Sequence, residues 1–299
     1  MLSFSRVNTT GAISTTRNGQ RQSRAILLRE TDDDMKRDFK RVCIYSDPHS
    51  GHRAGLTPPQ WQYQLDSTDK TRNKYAAIQF EMWKWLSIKI KTLGKIDVLI
   101  CNGDAIDGKG DRSGGTEQLE SSMIVQSEMA VEVIKQFNAD TICMTYGTPY
   151  HLGKDEDFES IIASAVNAEI KSHLFLDVNG LIFDCKHKVS GSIIPHGRLT
   201  GINRDALWNT LWSAQKEVQP NSDIIVRSHV HYYAYSESMG KACLITPALM
   251  GFGSKYGARQ CSGIVDIGFV TFDVWGKDRW TKTVHMLNSK LLRDEVLIV

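Results

Sequence analysis

Along the chain, short apolar runs each end in a cluster of Gly, Asp, Asn or His, and longer amphipathic stretches separate them. The apolar runs read as buried strands at about 40–46, Lys95 to Cys101, Asp140 to Tyr146 and Asp223 to Arg227. Between the first two, residues 69–93 place Tyr75, Ile78, Met82, Leu86 and Ile90 at spacings of three or four, which predicts a helix. Trp83 and Trp85 widen its apolar face, and a packing role accounts for the whole stretch. A second helix is expected over 116–138, with Leu119, Met123, Val125, Met129, Val133 and Phe137 mostly on one side. A third runs from Asp155, as N-cap, to Val166. A fourth, over about 203–217, carries Leu207, Trp208, Leu211 and Trp212. Asn179-Gly180 between two apolar runs is a two-residue hairpin turn, and its outgoing strand reaches Cys185-Lys186-His187. From about 232 to 285, strands at Ala242 to Thr246, Gly263 to Val274 and Trp280 to His285 alternate with Gly-rich turns.

Chemistry-bearing residues collect where the strands stop. The first strand runs into Asp47-Pro48-His49, and alternate residues of an extended chain point the same way. One carboxylate and one imidazole can therefore converge on a divalent ion such as Mn, Fe or Zn. The second strand delivers Asn102-Gly103-Asp104-Ala105-Ile106-Asp107-Gly108, with a carboxylate at Asp104 and glycines that let backbone approach a ligand closely. The third ends in Gly147-Thr148-Pro149-Tyr150-His151. A later one leads into Ser228-His229-Val230-His231, whose two histidines share a side and can serve two adjacent ions. Acid-x-His alone arises by chance in many chains; the recurrence of similar strand ends downstream gives it weight.

At 299 residues the chain can bury a sizeable core, as one large α/β domain or two small ones. Apolar residues at 41% and charged residues at 23% are ordinary for a globular protein. A net charge of +2 points to neither nucleic acid nor membrane as a whole, although a local groove can still be basic. Six cysteines, at 43, 101, 143, 185, 243 and 261, show no C-x-x-C spacing, which removes zinc-finger and thioredoxin readings. Most sit in apolar runs and read as free core thiols in a reducing compartment. Residues 1–30 are polar, with Arg6, Arg17, Arg21 and Arg24 and no acid before Glu30, so a mobile solvated extension is expected over 1–38. No repeat or linker divides residues 39–299, which are expected to form a single domain. No stretch approaches a membrane span and no leader is evident at the start, so a soluble cytoplasmic protein is expected.

Acid-x-His, Gly-Asp-x-x-Asp, Gly-x-x-x-His, an isolated His and His-x-His, in this order over about residues 40–235, resemble the calcineurin-like metallophosphoesterases. Ser46-Asp47-Pro48-His49-Ser50-Gly51 with Gly55-Leu56-Thr57-Pro58-Pro59 looks most like members carried by bacteriophages, which would place the protein in the host cytoplasm. The resemblance implies an α/β (α+β) four-layer fold: a two-sheet β-sandwich flanked by helices, with a two-metal site at the strand ends. One ion would be held by Asp47, His49 and His231, the other by His187 and His229, with Asp104 bridging. The chain departs from the family at the third motif, where Asn and His usually follow Gly: Thr148 is a weaker ligand and Pro149 cannot act as an acid. Either His151 reaches in from two residues later, as ligand or as proton donor, or the second ion is held loosely. For the remaining ligand, His187 directly follows a strand whereas His196 lies in the loop Pro195-His196-Gly197-Arg198, and strand ends hold geometry better. His196 and Arg198 are then substrate contacts. His173 and His285 read as surface or packing residues, and His52 as a solvated loop residue.

The activity so implied is hydrolysis of a phosphoric ester by hydroxide generated between two ions roughly 3.5–4 Å apart. His151 is the candidate acid, because imidazole can release a proton near neutral pH. Arg198 is the candidate phosphate clamp; for Arg53 a surface charge is the better reading. A phosphodiester, in DNA or a nucleotide, is the expected substrate. Phosphomonoesters such as phosphoproteins are the alternative, and a binding or scaffold module without catalysis is the alternative of another class.

Overall fold

The computed structural model describes residues 37–66, 68–110, 114–152, 157–192, 194–215, 218–238, 240–251 and 265–289. The extension expected over 1–38 lies almost wholly outside these, as do Asp155 and Cys261. In chain order the elements are β1 (Lys40–Tyr45), α1 (Lys70–Leu93), β2 (Ile96–Asn102), α2 (Met123–Gln136), β3 (Ala139–Thr145), α3 (Pro149–Leu152), α4 (Phe158–Ala165) and β4 (Glu169–Lys171). There follow β5 (Leu174–Val178), β6 (Leu181–Lys188), α5 (Thr200–Ala214), β7 (Ile224–Ser228), β8 (Ala234–Ser238), β9 (Lys241–Ile245), β10 (Gly268–Gly276) and β11 (Arg279–Met286).

The strands form a six-stranded sheet, ordered β11-β10-β1-β2-β3-β4, and a five-stranded sheet, ordered β5-β6-β7-β9-β8. Within the first, β1 to β4 are parallel; within the second, β6, β7 and β9 are parallel. The period-two alternation of a strand sorts the side chains into layers. Val42 and Ile44 point into a core between the sheets, where they join Val98 and Ile100 of β2 and Phe183, Ile224, Val226 and Leu244 of the other sheet. Cys43 and Tyr45 face the opposite way with Leu99 and Cys101, against Ile78, Met82 and Leu86 of α1 and Val133 of α2. On the far side of the five-stranded sheet, Ile225, Cys243 and Ile245 meet Ile202 and Ala206 of α5. The result is the expected four-layer α/β sandwich, helix–sheet–sheet–helix. It brings the C-terminal ends of β1, β2, β3, β6 and β7 to one edge.

Three helices differ from their predicted spans, each for a local reason. The stretch 116–122 is not helical, because Leu119 N and Glu120 N donate to Gly51 O (2.8 and 3.2 Å), and Ser122 caps the helix instead. Asp157, whose carboxylate accepts from Ser160 N at 3.0 Å, is the N-cap of α4. The fourth helix starts at Thr200, and its buried face is Gly201, Ile202, Ala206 and Asn209, leaving Leu207, Trp208 and Leu211 exposed. Two short edge strands, β4 and β8, had no distinct apolar pattern to announce them. Cys43, Cys101, Cys143, Cys185 and Cys243 are free and buried, as expected of core thiols.

Beside the strand ends of the second sheet, Arg227 is 2% exposed and pairs with Asp184 of β6 (2.8 Å) and Asp205 of α5 (2.7 Å). His173 also meets Asp184, at 2.9 Å. Removing one partner of a buried pair strands a charge, whereas a partly exposed partner is replaced by water. Asp184→Ala is therefore expected to destabilise the protein by about 3 kcal/mol in urea titration. Asp205→Ala should cost about 1 kcal/mol, and equal losses would contradict this division of roles.

Candidate metal centre

The loops after β1 and β2 are laced together through backbone. Asp47 N donates to Gly103 O (3.1 Å), His49 N to Asp104 O (3.2 Å), Ser50 N to Ala105 O (3.1 Å) and Asp107 N to Ser50 O (3.0 Å). Unusual backbone conformations occur in these loops and in the one after β7. Among the described residues, the non-glycine positions with positive φ are Asp47, His49, Asp104, His229 and His231, together with Asn138, Asn167 and Asn179. Asn tolerates the left-handed region, whereas Asp and His there mark a conformation that the surroundings must hold. Every such Asp or His is a residue picked from the strand ends. Two glycines are equally constrained: a Cβ at Gly103 would collide with the His187 ring, and one at Gly147 with the Asp104 carboxylate.

Asp47 is 0% and Asp104 1% exposed, and each anchors one carboxylate oxygen to backbone. Asp47 Oδ2 accepts from His229 N (3.2 Å), and Asp104 Oδ1 from Thr148 N (2.6 Å) and Thr148 Oγ1 (3.1 Å). The other oxygens face imidazoles. Asp47 Oδ1 lies 3.3 Å from His231 Nε2, 3.7 Å from His49 Nε2 and 3.8 Å from His187 Nε2. Asp104 Oδ2 lies 3.0 Å from His187 Nε2, 3.7 Å from His151 Nε2 and 3.8 Å from His229 Nδ1. Three groups of donor atoms result, each within 4.8 Å of one another: Asp47, Asp104, His187 and His229; Asp47, His49 and His231; and His49, Asp104 and His151.

The donor chemistry fits divalent ions. Asp47 Oδ1 and His187 Nε2 are buried without a hydrogen-bond partner among the described residues. His49 Nε2 and His231 Nε2 face each other at 3.2 Å. Second contacts fix which nitrogen is offered. His187 Nδ1 lies 2.7 Å from Asn102 O and His151 Nδ1 2.6 Å from Asp107 O, so in each ring the Nδ1–H donates and Nε2 turns inward. His49 Nδ1 is 3.7 Å from the Asp107 carboxylate.

Burial alone would raise both carboxyls, but the charge of His187, joined by His231 at Asp47 and by His151 at Asp104, holds them well below the usual range. Burial would likewise lower His187, yet Asp104 and Asp47 raise it to about 10. Burial lowers His49 to about 4. Under the site, Glu159 is fully buried and accepts from Ala105 N (3.0 Å) and Gly147 N (2.7 Å), tying the Asp104 loop to the third strand end. Burial, with Asp104 adding to it, raises its carboxyl to about 7.

Of the residues picked from sequence, Asp47, His49, Asp104, Thr148, His151, His187, His229 and His231 are brought together here. His196 is not: it is exposed on a single helical turn at Pro195–Gly197. Arg198 stacks 4.5 Å from the Tyr232 ring, one residue after His231, with its Nε buried and without a hydrogen-bond partner among the described residues. Arg53 is no surface charge, because it binds Glu117 at 3.1 Å and lies 4.5 Å from the Tyr75 ring. His52 is buried, not solvated, with Nδ1 accepting from Ala54 N. Asp107 and Glu159 went unpicked; the second acid of Gly-Asp-x-x-Asp signalled the first, and nothing in sequence singled out the second.

No protein-family model matches the chain, and neither does any curated protein. Among solved structures, a single mutant of Vps29 from Entamoeba histolytica is 14% identical, with a TM-score of 0.43 over 83% of this chain and 99% of that one. A novel archaeal phosphodiesterase is 13% identical, with a TM-score of 0.44 over 82% and 99%. A conserved Streptococcus pneumoniae protein, described as a predicted phosphoesterase, is 10% identical, with a TM-score of 0.35 over 83% and 98%. Such low similarity assigns no activity. No helix among the described residues is long and apolar enough to cross a membrane.

Asp104 and Asp47, 3.0 and 3.8 Å from His187 Nε2, favour the charged form of that ring, so an ion bound at Nε2 would displace a proton. The two carboxylates raise His187 from the ordinary 6.5 of an imidazole to about 10, so its stabilising effect is complete below 6.5 and is lost as pH rises through 10. Metal-free protein should therefore melt progressively lower between those values. Mn²⁺ titrations at about pH 7.5, in buffers of different ionisation enthalpy, should show release of about one proton. Zero release with a pH-independent melting temperature would contradict the assignment.

Proposed function

We propose that the chain is a metal-dependent phosphoric-ester hydrolase that employs two divalent ions and acts on a phosphodiester, in DNA or a nucleotide. One observation carries this reading: two buried carboxylates, each with one oxygen anchored and the other aimed among imidazoles from both sheets. Asp47, His49 and His231 would hold one ion and His187 and His229 the other, with Asp104, which groups with His187 and His229 and also with His49, among the donors to both. The shared members of the three donor groups support two adjacent positions. Mn, Fe or Zn suits such a mixed oxygen and nitrogen set. When bound, the ions supply a nucleophilic oxygen at neutral pH and neutralise charge on the phosphoryl group.

The chain's own groups then divide the remaining work. His151, with its Nδ1–H on Asp107 O, presents Nε2 toward Asp104 and in its charged form donates that proton to the leaving oxygen. Arg198 clamps a phosphoryl oxygen from above Tyr232. Thr148 spends both its N–H and its hydroxyl on Asp104, and so orients the carboxylate instead of binding an ion. The basic composition of residues 1–30 favours a substrate longer than one phosphate.

That use of Thr148 also favours a second reading, a module that binds metal without hydrolysis, since the third strand end then contributes no ligand. In Mn²⁺, bis-p-nitrophenyl phosphate should be cleaved faster than p-nitrophenyl phosphate, and Asp104→Asn should lower kcat/KM by more than about 100-fold. Preference for the monoester removes the diesterase reading. Tightly held metal, with hydrolysis unchanged in Asp104→Asn, establishes the non-catalytic module.

A further inference from the structure

The interior of the sandwich is apolar until its last residues before the metal centre, where it becomes a continuous run of hydrogen bonds. Thr145, the last residue of β3, donates through Oγ1 to Asn102 Oδ1 at 2.9 Å. Asn102, the last residue of β2, donates through Nδ2 to Lys186 O of β6 (3.0 Å) and to Ser228 Oγ of β7 (2.6 Å). A carbonyl such as Lys186 O only accepts, so the amide cannot be turned the other way. Ser228 Oγ, accepting from Asn102, is also hydrogen-bonded to Thr246 Oγ1 at 2.7 Å. A second 2.7 Å hydrogen bond joins Thr246 to Ser46, which follows β1 and also reaches Pro247 O at 3.3 Å. Ser46, Asn102, Thr145, Ser228 and Thr246 are all 0% exposed.

The run crosses between the sheets, and almost every member is a near neighbour of a proposed ligand. Ser46 precedes Asp47, Asn102 stands two residues before Asp104, Lys186 precedes His187 and Ser228 precedes His229. The first sheet supplies Asp47, His49 and Asp104, and the second supplies His187, His229 and His231. Apolar contacts do not set the offset of one sheet against another to a fraction of an ångström; directional hydrogen bonds do.

We propose that this run sets the distance between the two halves of the metal centre, with Thr246, which binds no substrate or ion itself, as its central positioning residue. The inference rests on the metal-binding reading of the site. Thr246→Val keeps the shape but leaves the Ser228 and Ser46 hydroxyls without their shared partner, whereas Thr246→Ser keeps the hydroxyl. The full chain should bind two Mn²⁺ by calorimetry. Thr246→Val, folded by circular dichroism at the titration temperature, should bind Mn²⁺ about 10- to 100-fold more weakly, and Thr246→Ser should restore binding to within roughly twofold. The kcat of Thr246→Val should fall more than its KM rises. A folded Thr246→Val that binds Mn²⁺ as tightly as the parent overturns the proposal and leaves the metal centre standing. A parent protein that binds no divalent ion overturns the metal reading and the proposal with it. Should Thr246→Val not fold, Ser46→Ala carries the same expected loss, and unchanged binding there overturns the proposal equally.

Discussion

The strand-end architecture is governed by the need to keep two neighbouring carboxylates, Asp47 and Asp104, charged and out of water. An ion withdrawn from water costs several kcal/mol unless it is paired and hydrogen-bonded. Two such groups side by side would ordinarily retain a proton between them. Here both stay ionised, because each receives a backbone N–H and both share the charge of His187. A single imidazolium offsets half of the negative charge. Bound divalent ions would offset the rest, replacing a weak compensation by a strong one.

The same demand explains the backbone. For one carboxylate to face imidazoles from both sheets, the chain must turn sharply at the ends of β1, β2 and β7, and five Asp or His residues adopt positive φ there. Each such residue costs on the order of 1 kcal/mol or more, against a net folding stability of about 5–15 kcal/mol. A fold holds that strain only where the surroundings over-determine the turn. The backbone ladder between residues 47–50 and 103–107, the glycines at 103 and 147, and buried Glu159 do so.

How much of this could be read in advance depended on the kind of signal. Tyr75, Ile78, Met82, Leu86 and Ile90 are all buried because helical periodicity is a local property that burial merely uses. His187 was legible over His196 for a related reason: it continues a strand whose alternation already faces it inward, while His196 sits on an exposed turn. What stayed hidden has no period. Glu159 acts through two backbone amides far from it in sequence, and Thr246 through hydroxyls on two sheets. The start of α2 is not legible in its apolar pattern, which continues upstream although amides there are already spent on Gly51. The four exposed or half-exposed apolar residues of α5 misled for the converse reason: a helix lying on a sheet can place small residues inward and large ones outward.

The polarity of the second sheet follows from these constraints as well. An apolar sandwich slides easily, since hydrophobic contact has no direction, and a site divided between two sheets cannot tolerate sliding. Directional contacts accordingly appear where the ligands leave the strands. Arg227 binds Asp184 of β6 and Asp205 of α5, and the next residue, Ser228, joins the run toward the first sheet. β7 is thus fixed on its outer side by charge and on its inner side by hydroxyl and amide, immediately before it delivers His229. The Ser228 hydroxyl is the link between Asn102 and Thr246. Glycine there would leave the β7 end held from one side only.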